Sequence, residues 1–345
     1  MQRRPADADP LVSGWREQID AALSSVVRPG EPVALVNFPN HGNPGDPAIW
    51  LGALAALRRL ECPVAYACTP RSFSATALRQ ALPDGPVLIN GGGNFGDLYG
   101  PQQQLRERLL VELPERRLVQ LPQSIHFQHE DTLARMQRLV AAHGDVVLMV
   151  REDSSAGLAA SFDAPAVLCP DLALSLGPLA PTGARHPVTA LLRSRDSPES
   201  VDHGSLSDDP DLHRVDWLAD VVGDQRHWRG SLQSLLQVNA GLSQEPQPDP
   251  HLAAALAATF EPLAEAWVER GLAILSSGRV VVTDTLHGHL LSLLLGRPHV
   301  VLDNSYGKCR STVRTWTGSH PLVHWADTLE QATGLARTLL EPPAG

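Results

Sequence analysis

Lysine is almost absent from this chain. Of 345 residues only Lys308 is a lysine, and every other cationic side chain apart from histidine is an arginine. Acidic residues outnumber basic ones, 38 to 28, for a formal charge of -10. That balance argues against non-specific binding to nucleic acid or to an anionic membrane. It leaves room for a local basic pocket built for a small anion. Cysteine is scarce as well. Cys62, Cys68, Cys169 and Cys309 form no CxxC pair, and their spacing fits neither a zinc site nor a disulfide framework. No apolar stretch approaches the roughly 18–20 residues of a membrane helix. The most apolar segment runs only from Leu290 to Leu295. Arg3 and Arg4 are not followed by the apolar segment of a secretory signal. A cytoplasmic protein without a membrane span is expected.

What is present fits two α/β units. Hydrophobic residues make up 43% and charged residues 19% of the chain, enough apolar surface for a sizeable core. Short β-branched and apolar runs, at 32–38, 63–67, 86–90, 117–121, 146–150 and 166–169, predict strands. Amphipathic stretches predict helices at 48–60, 75–82, 101–112, 130–143 and 153–161. The pattern then restarts, with strands at 187–193, 213–218, 279–284 and 299–303. Helices are expected at 251–277, broken or kinked at Pro262, at 286–296 and near 308–317, with a last strand and helix in 320–341. Continuous apolar strands alternating with helices predict parallel sheets covered on both faces. The expected architecture is two doubly wound α/β domains facing across a cleft, residues 1–178 and 179–345. Their hinge is expected near 174–186, a stretch rich in Pro and Gly.

Ligands of open parallel sheets bind beyond the carboxyl ends of the strands. After the first strand comes "NFPNHGNPGDPAIW" (37–50), where Asn40, His41, Asn43 and Asp46 supply polar groups between turn glycines. Asp46 is expected to cap the helix that Pro47 opens. After the third strand comes "NGGGNFGD" (90–97), with Gly92, Gly93 and Asn94. It is neither GxGxxG with a distant ribose-binding acid nor a GK[ST] phosphate loop. "LPQSIHF" (121–127) adds Gln123, Ser124 and His126. In the second half, Arg193 ends one strand, His287 follows another and Lys308 a third, so the three are expected on one sheet edge facing the cleft. His287 and His289, two apart on a helix, point to different sides, so no two-histidine metal clamp is expected. The acidic stretch 194–211 reads as a loop or lid. An ammonium at Lys308, unlike a planar guanidinium, offers a mobile point charge to an anion.

The ordered set "NHGNPGD", "NGGGNFGD", "LPQSI", "VREDSS", "CPD" and "TDTLHGHLLSLLLGRPHVVLDNSYGK" resembles the polysaccharide pyruvyl transferase family. The last run is most similar to its exopolysaccharide-biosynthesis branch. The resemblance implies two α/β domains in a GT-B-like arrangement. It implies transfer of the enolpyruvyl group of phosphoenolpyruvate to two hydroxyls of a sugar or glycan, giving a pyruvate ketal and phosphate without cofactor or metal. It places phosphoenolpyruvate against Arg193, Leu286, His287 and Gly288, and Ser305 and Lys308, after the next strand, are expected beside them. The acceptor would lie against Asn40, His41, Asn43, Gly92, Gly93, Asn94, Gln123 and His126. His287 is the expected general acid and Asp46 the expected base. Where the family often has Arg-Leu-His-Gly, this chain has Thr285, and Lys308, Arg310 or Arg314 would supply the charge. The residues alone leave open a GT-B-type glycosyltransferase using a nucleotide sugar, or a non-catalytic glycan-binding relative. A lipid-linked acceptor would bring the protein to a membrane surface peripherally.

Overall fold

Apolar runs of three to nine residues, too short for core helices, become the strands. The computed structural model describes residues 1–5, 9–194, 197, 199–201, 211–217, 229–242, 246 and 249–341. The first sheet is wholly parallel. It is built from β1 (Val33–Val36), β2 (Val64–Cys68), β3 (Val87–Ile89), β4 (Gly92–Gly96), β5 (Leu118–His126), β6 (Val146–Val150) and β7 (Ala166–Leu168). Its order is β2-β1-β3-β5-β6-β7, with β4 alongside the far half of the long β5. The second sheet, also parallel, contains β8 (His186–Leu191), β9 (Leu212–Val215), β10 (Gly278–Thr283), β11 (His299–Val301) and β12 (Val323–Trp325) in the order β12-β11-β10-β8-β9.

Both orders contain a point at which the winding reverses. In the first sheet β1 lies between β2 and β3; in the second, β8 and β10 are neighbours whose crossovers run in opposite directions. Crevices open at such points beyond the strand ends. The segments that follow β1, β3, β8 and β10 carry Asp46, Gly92, Arg193 and His287 respectively. The candidate site is therefore fixed by topology before any side chain is placed.

Three apolar clusters hold the sheets. One lies on one face of the first sheet, between Ala34, Phe73, Leu105 and Leu148. Another covers one face of the second, between Val188, Val282, Leu302 and Ala332. The largest is shared by both sheets. It includes α2 (Gly45–Arg59), α9 (Phe260–Ser276) and α10 (Leu286–Leu294). In it Phe38 stacks on Phe260, ring centres 4.1 Å apart, and the Trp50 ring meets both edge-on. A 3₁₀ turn at Leu172–Leu176 packs so closely on α2 that a side chain at Gly52 would overlap the Leu172 carbonyl. Residues 172–179 are buried, so of the expected hinge only 180–185 forms an open connection.

Several elements differ from the sequence expectation. An opening helix, α1 (Pro10–Ser24), starts on an Asp9 cap and was not anticipated. Neither was α7 (Arg229–Leu242). The glycine run read as a loop forms β4, because β5 extends far enough to pair with it. The stretch 251–277 is two helices, α8 (Pro250–Ala257) and α9. The break falls at 258–259, and Pro262 sits in the first turn of α9, where its missing N–H has no partner to lose. Of the acidic loop, residues 195–196, 198 and 202–210 lie outside the described residues, as does Leu218 of the strand expected at 213–218. All four cysteines are buried thiols, and none of the described helices is long and apolar enough to cross a membrane.

Candidate active site

The turn after β1 sets the first half of the site. Asn43 Oδ1 accepts the Gly45 N–H at 2.9 Å, and Pro44 occupies the cap position of α2. Asp46 therefore lies inside the first turn and is not the cap. Its carboxylate is free to reach back to His41, Nε2 to Oδ2 3.2 Å. Burial alone would push the Asp46 carboxyl up. The His41 hydrogen bond, with the charges of His41, His287 and Arg151, overrides this and holds it down at about 2. For His41 the surrounding chain pushes the imidazole down and Asp46 pushes it up, with a raised pKa as the result.

His287 enters from the other sheet. It stands in the first turn of α10, whose cap is Thr285: the Thr285 hydroxyl oxygen accepts the Gly288 N–H at 3.0 Å. The imidazole lies against Gly45, where a methyl group would come within 2.4 Å of Nδ1. Its Nε2 is buried with no hydrogen-bond partner among the described residues, and Asp171 Oδ2 is 3.6 Å away. Asp171 is buried and receives Arg151 Nη1 at 2.6 Å, while Arg151 Nε donates to Ser124 Oγ at 2.9 Å. Burial pushes the Asp171 carboxyl up, but Arg151 and His287 outweigh it and hold it well below the usual range. His289 faces the opposite way, into a buried pair with His299 at 2.7 Å.

A cation pair forms the adjoining wall. Lys308 is buried at the start of a short helix, its N–H bonded to Asn304 Oδ1 at 2.9 Å. Its ammonium reaches Tyr306 OH at 2.9 Å and Glu199 Oε2 at 2.5 Å. Arg193 Nη2 meets the same Glu199 oxygen at 2.5 Å. From the first sheet, Gly93 faces this wall: a Cβ there would be 3.3 Å from Lys308 Nζ and 3.4 Å from Arg151 Nη2. At Gly92, with φ +132, a Cβ would meet Asp46 Oδ1 at 3.2 Å. Glycine at 92 is favoured by its backbone angle, and the bare backbone of β4 at 92 and 93 leaves room for three charged groups. The His126 ring stacks on Tyr306 at 4.7 Å.

The structure thus brings together His41, Asp46, Gly92, Gly93, His126, Arg193, His287 and Lys308. Other candidates are engaged elsewhere. Asn40 Nδ2 donates to Asn239 Oδ1 at 2.7 Å. Asn43 is occupied by its turn. Asn94 is held by buried Arg106, through its Oδ1 at 2.6 Å and its carbonyl at 2.8 Å. Gln123 is fully buried, its amide donating to the Ser124 carbonyl at 3.1 Å. Leu286 is a core residue, and Gly288 is needed because a Cβ would overlap the Thr283 and Thr285 hydroxyls. Ser305 is exposed, and its N–H meets the Glu199 carbonyl at 3.3 Å. Arg310 is paired with Asp303 and Asp327, and Arg314 is exposed. Thr285 is buried as a cap, and Arg151, 2.6 Å from Asp171 Oδ2, is a further cation beside the site. Tyr99, Arg151, Asp171, Glu199 and Tyr306 were not singled out by sequence reasoning. Arg151 and Asp171 do stand in the quoted "VREDSS" and "CPD" runs, which was the available signal.

Two parallel α/β sheets whose strand ends at the reversal points gather cations, carboxylates and histidines are the frame of an α/β enzyme with its charged groups at the ligand-bearing edge. A profile of polysaccharide pyruvyl transferases matches residues 43–306. Pyruvyl transferase 1 of Schizosaccharomyces pombe is 31% identical over 297 residues, 82% of this chain and 69% of that protein. EpsO of Bacillus subtilis, a protein named for pyruvyl transfer, is 30% identical over 308 residues, 89% of this chain and 91% of its own. A functionally uncharacterised protein of Klebsiella pneumoniae shares the fold, with a TM-score of 0.59 at 15% identity over 91% of this chain and 99% of that one. The chain belongs to the polysaccharide pyruvyl transferase family and is a transferase.

Proposed function

We propose that this chain moves the enolpyruvyl group of phosphoenolpyruvate onto a sugar, forming a pyruvate ketal in cell-surface polysaccharide biosynthesis. The observation that carries the reading is the convergence of Arg193 and Lys308 on a single anionic group beside His287, with Asp46 and His41 facing from the other sheet. The two sheets are read as two α/β units, residues 1–178 and 179–345, in a GT-B-like arrangement with donor on the second and acceptor on the first.

The chemistry needs an acid, a base and cations. A proton from His287 to the methylene carbon makes a methyl group and leaves an oxocarbenium-like carbon at C2. One sugar hydroxyl attacks C2, and its proton passes to the Asp46–His41 pair. The C2–O bond to phosphate breaks, phosphate leaves, and the second hydroxyl closes the ketal, its proton returning to the deprotonated His287. A carboxylate held at about 2 is a weak base by itself. In this reading Asp46 aligns His41, and the imidazole carries the proton. Asp171 holds the His287 ring from behind. Arg193 and Lys308 neutralise the donor's charge. His41, Gly92 and Gly93 line the acceptor side.

Thermal shift and phosphate release test the reading together. Phosphoenolpyruvate at about 100 times its dissociation constant stabilises by roughly 2.7 kcal/mol, a shift of several degrees. The shift is expected in wild type and not in Lys308→Ala. Phosphate release is expected to fall about 10²–10⁴-fold in His287→Asn and in Asp46→Asn. Stabilisation by a nucleotide sugar and not by phosphoenolpyruvate would give the site to glycosyl transfer instead.

A further inference from the structure

The anion already seated between Lys308 and Arg193 belongs to the chain itself. Glu199 lies on the connection from β8 to β9 and is only 3% exposed. Its Oε2 accepts from Lys308 Nζ and Arg193 Nη2, each at 2.5 Å. Its Oε1 accepts from the Tyr99 and Tyr306 hydroxyls, each at 3.1 Å. Two cations on one oxygen and two phenols on the other fill the acceptor capacity of a planar carboxylate. The four donors come from separate positions in the chain, Tyr99 from the first half and the rest from the second. Arg193 Nε, on the same guanidinium, is buried with no partner among the described residues. Lys308 and Arg193 override the burial that would push the Glu199 carboxyl up, so it is an anion at neutral pH.

This arrangement is a carboxylate subsite with an internal occupant. A polyanionic donor cannot use Lys308 and Arg193 while Glu199 holds them, because the like charge would stand within bonding distance of its own. We propose that Glu199 is a built-in competitor. It occupies the donor-carboxylate subsite of the free protein and is displaced when a ligand carboxylate takes its place on Lys308, Arg193, Tyr99 and Tyr306. The proposal rests on the donor reading above for the identity of the ligand, but not for the existence of the subsite.

The role of Glu199 differs from that of an ordinary buried ion-pair partner in one measurable respect. A structural partner, once removed, leaves two cations unpaired and a weaker protein. A competitor, once removed, leaves the same two cations available to a ligand. Glu199→Gln keeps the size and removes the charge. Oxalate, a small planar dicarboxylate, probes the subsite independently of any reaction. By calorimetry, Glu199→Gln is expected to bind oxalate and phosphoenolpyruvate at least ten-fold more tightly than wild type. Its melting temperature is expected to fall without ligand and to recover with oxalate. Glu199→Asp keeps the charge but shortens the reach by one methylene, and should tighten binding by less. This second variant covers the case in which Glu199→Gln fails to fold.

Unchanged or weakened binding of oxalate in these variants overturns the competitor. If wild type releases phosphate from phosphoenolpyruvate under that result, the donor reading stands without it. If oxalate tightens but phosphoenolpyruvate neither binds more tightly nor is turned over, the competitor stands and the donor reading falls.

Discussion

Gly45 and His287 are in contact across the two sheets: a methyl group on residue 45 would sit 2.4 Å from His287 Nδ1 and 2.7 Å from its Cγ. Gly45 opens α2 and has no positive φ, so alanine is acceptable to its backbone. Gly45→Ala therefore acts on the imidazole and not on the fold. Displacement of a catalytic group by about 1 Å costs on the order of 10²-fold in rate. Gly45→Ala is expected to lower the turnover number by about that factor with a melting temperature close to wild type. Steady-state phosphate release with a parallel melting curve checks this, and full activity would remove His287 from the chemistry.

Arg151 carries the buried electrostatics of the site. It, Glu152 and Asp171 are each about 1% exposed. Arg151→Met would leave two buried acids without their cation. Breaking such a group by removing one partner costs roughly 3–5 kcal/mol. Urea denaturation is expected to show that loss. A change under about 1 kcal/mol would mean that solvent reaches the cluster.

The Thr285 hydroxyl caps α10 and pairs with Thr283 at 3.0 Å. Thr285→Ala should cost about 1 kcal/mol of stability, as a lost helix cap does. The stabilisation by phosphoenolpyruvate should be unchanged. If instead that stabilisation disappears, residue 285 reaches the donor, and the cap is not its main role.

Acid should weaken the protein before it protonates the site carboxylates. His299 Nδ1 faces the Arg297 carbonyl at 2.8 Å and its Nε2 faces His289 Nδ1 at 2.7 Å. Burial pushes His299 down to about 4 and His289 well below its ordinary value. A base whose folded pKa is lowered contributes stability above its unfolded value, about 6.5, that is lost as pH falls through the folded one. For His299 that is roughly 3 kcal/mol, lost between about pH 6.5 and 4. Asp46 and Glu199, held at about 2, keep their contributions down to about pH 4.5 and lose them below it, so the histidine loss begins first. Melting temperature against pH should decline between 6.5 and 4, and His299→Gln should flatten that decline. An unaltered slope in the variant would assign the loss to other groups.

Much of the site was legible in sequence because strand ends are legible. Apolar runs locate β1, β3, β8, β10 and β11, and whatever polar residue follows each must lie on the ligand-bearing edge of a parallel sheet. That reasoning reached Asp46, Gly92, Arg193, His287 and Lys308. It could not say which way Asn40 or Asn94 turns, because Asn239 and Arg106 are distant in the chain.

The sequence by itself determined the alternation of strands and helices and a net negative charge, which local periodicity and composition decide without a partner from elsewhere. Its ordered motifs carried the resemblance to the family. Only the tertiary structure decided that Lys308, Arg193, Tyr99 and Tyr306 share one carboxylate, and that the carboxylate is Glu199. A single charge in an acidic loop gives no sign of its partners. They are chosen by which strand ends the sheet order places side by side, and by burial that makes an unpaired charge too costly to leave.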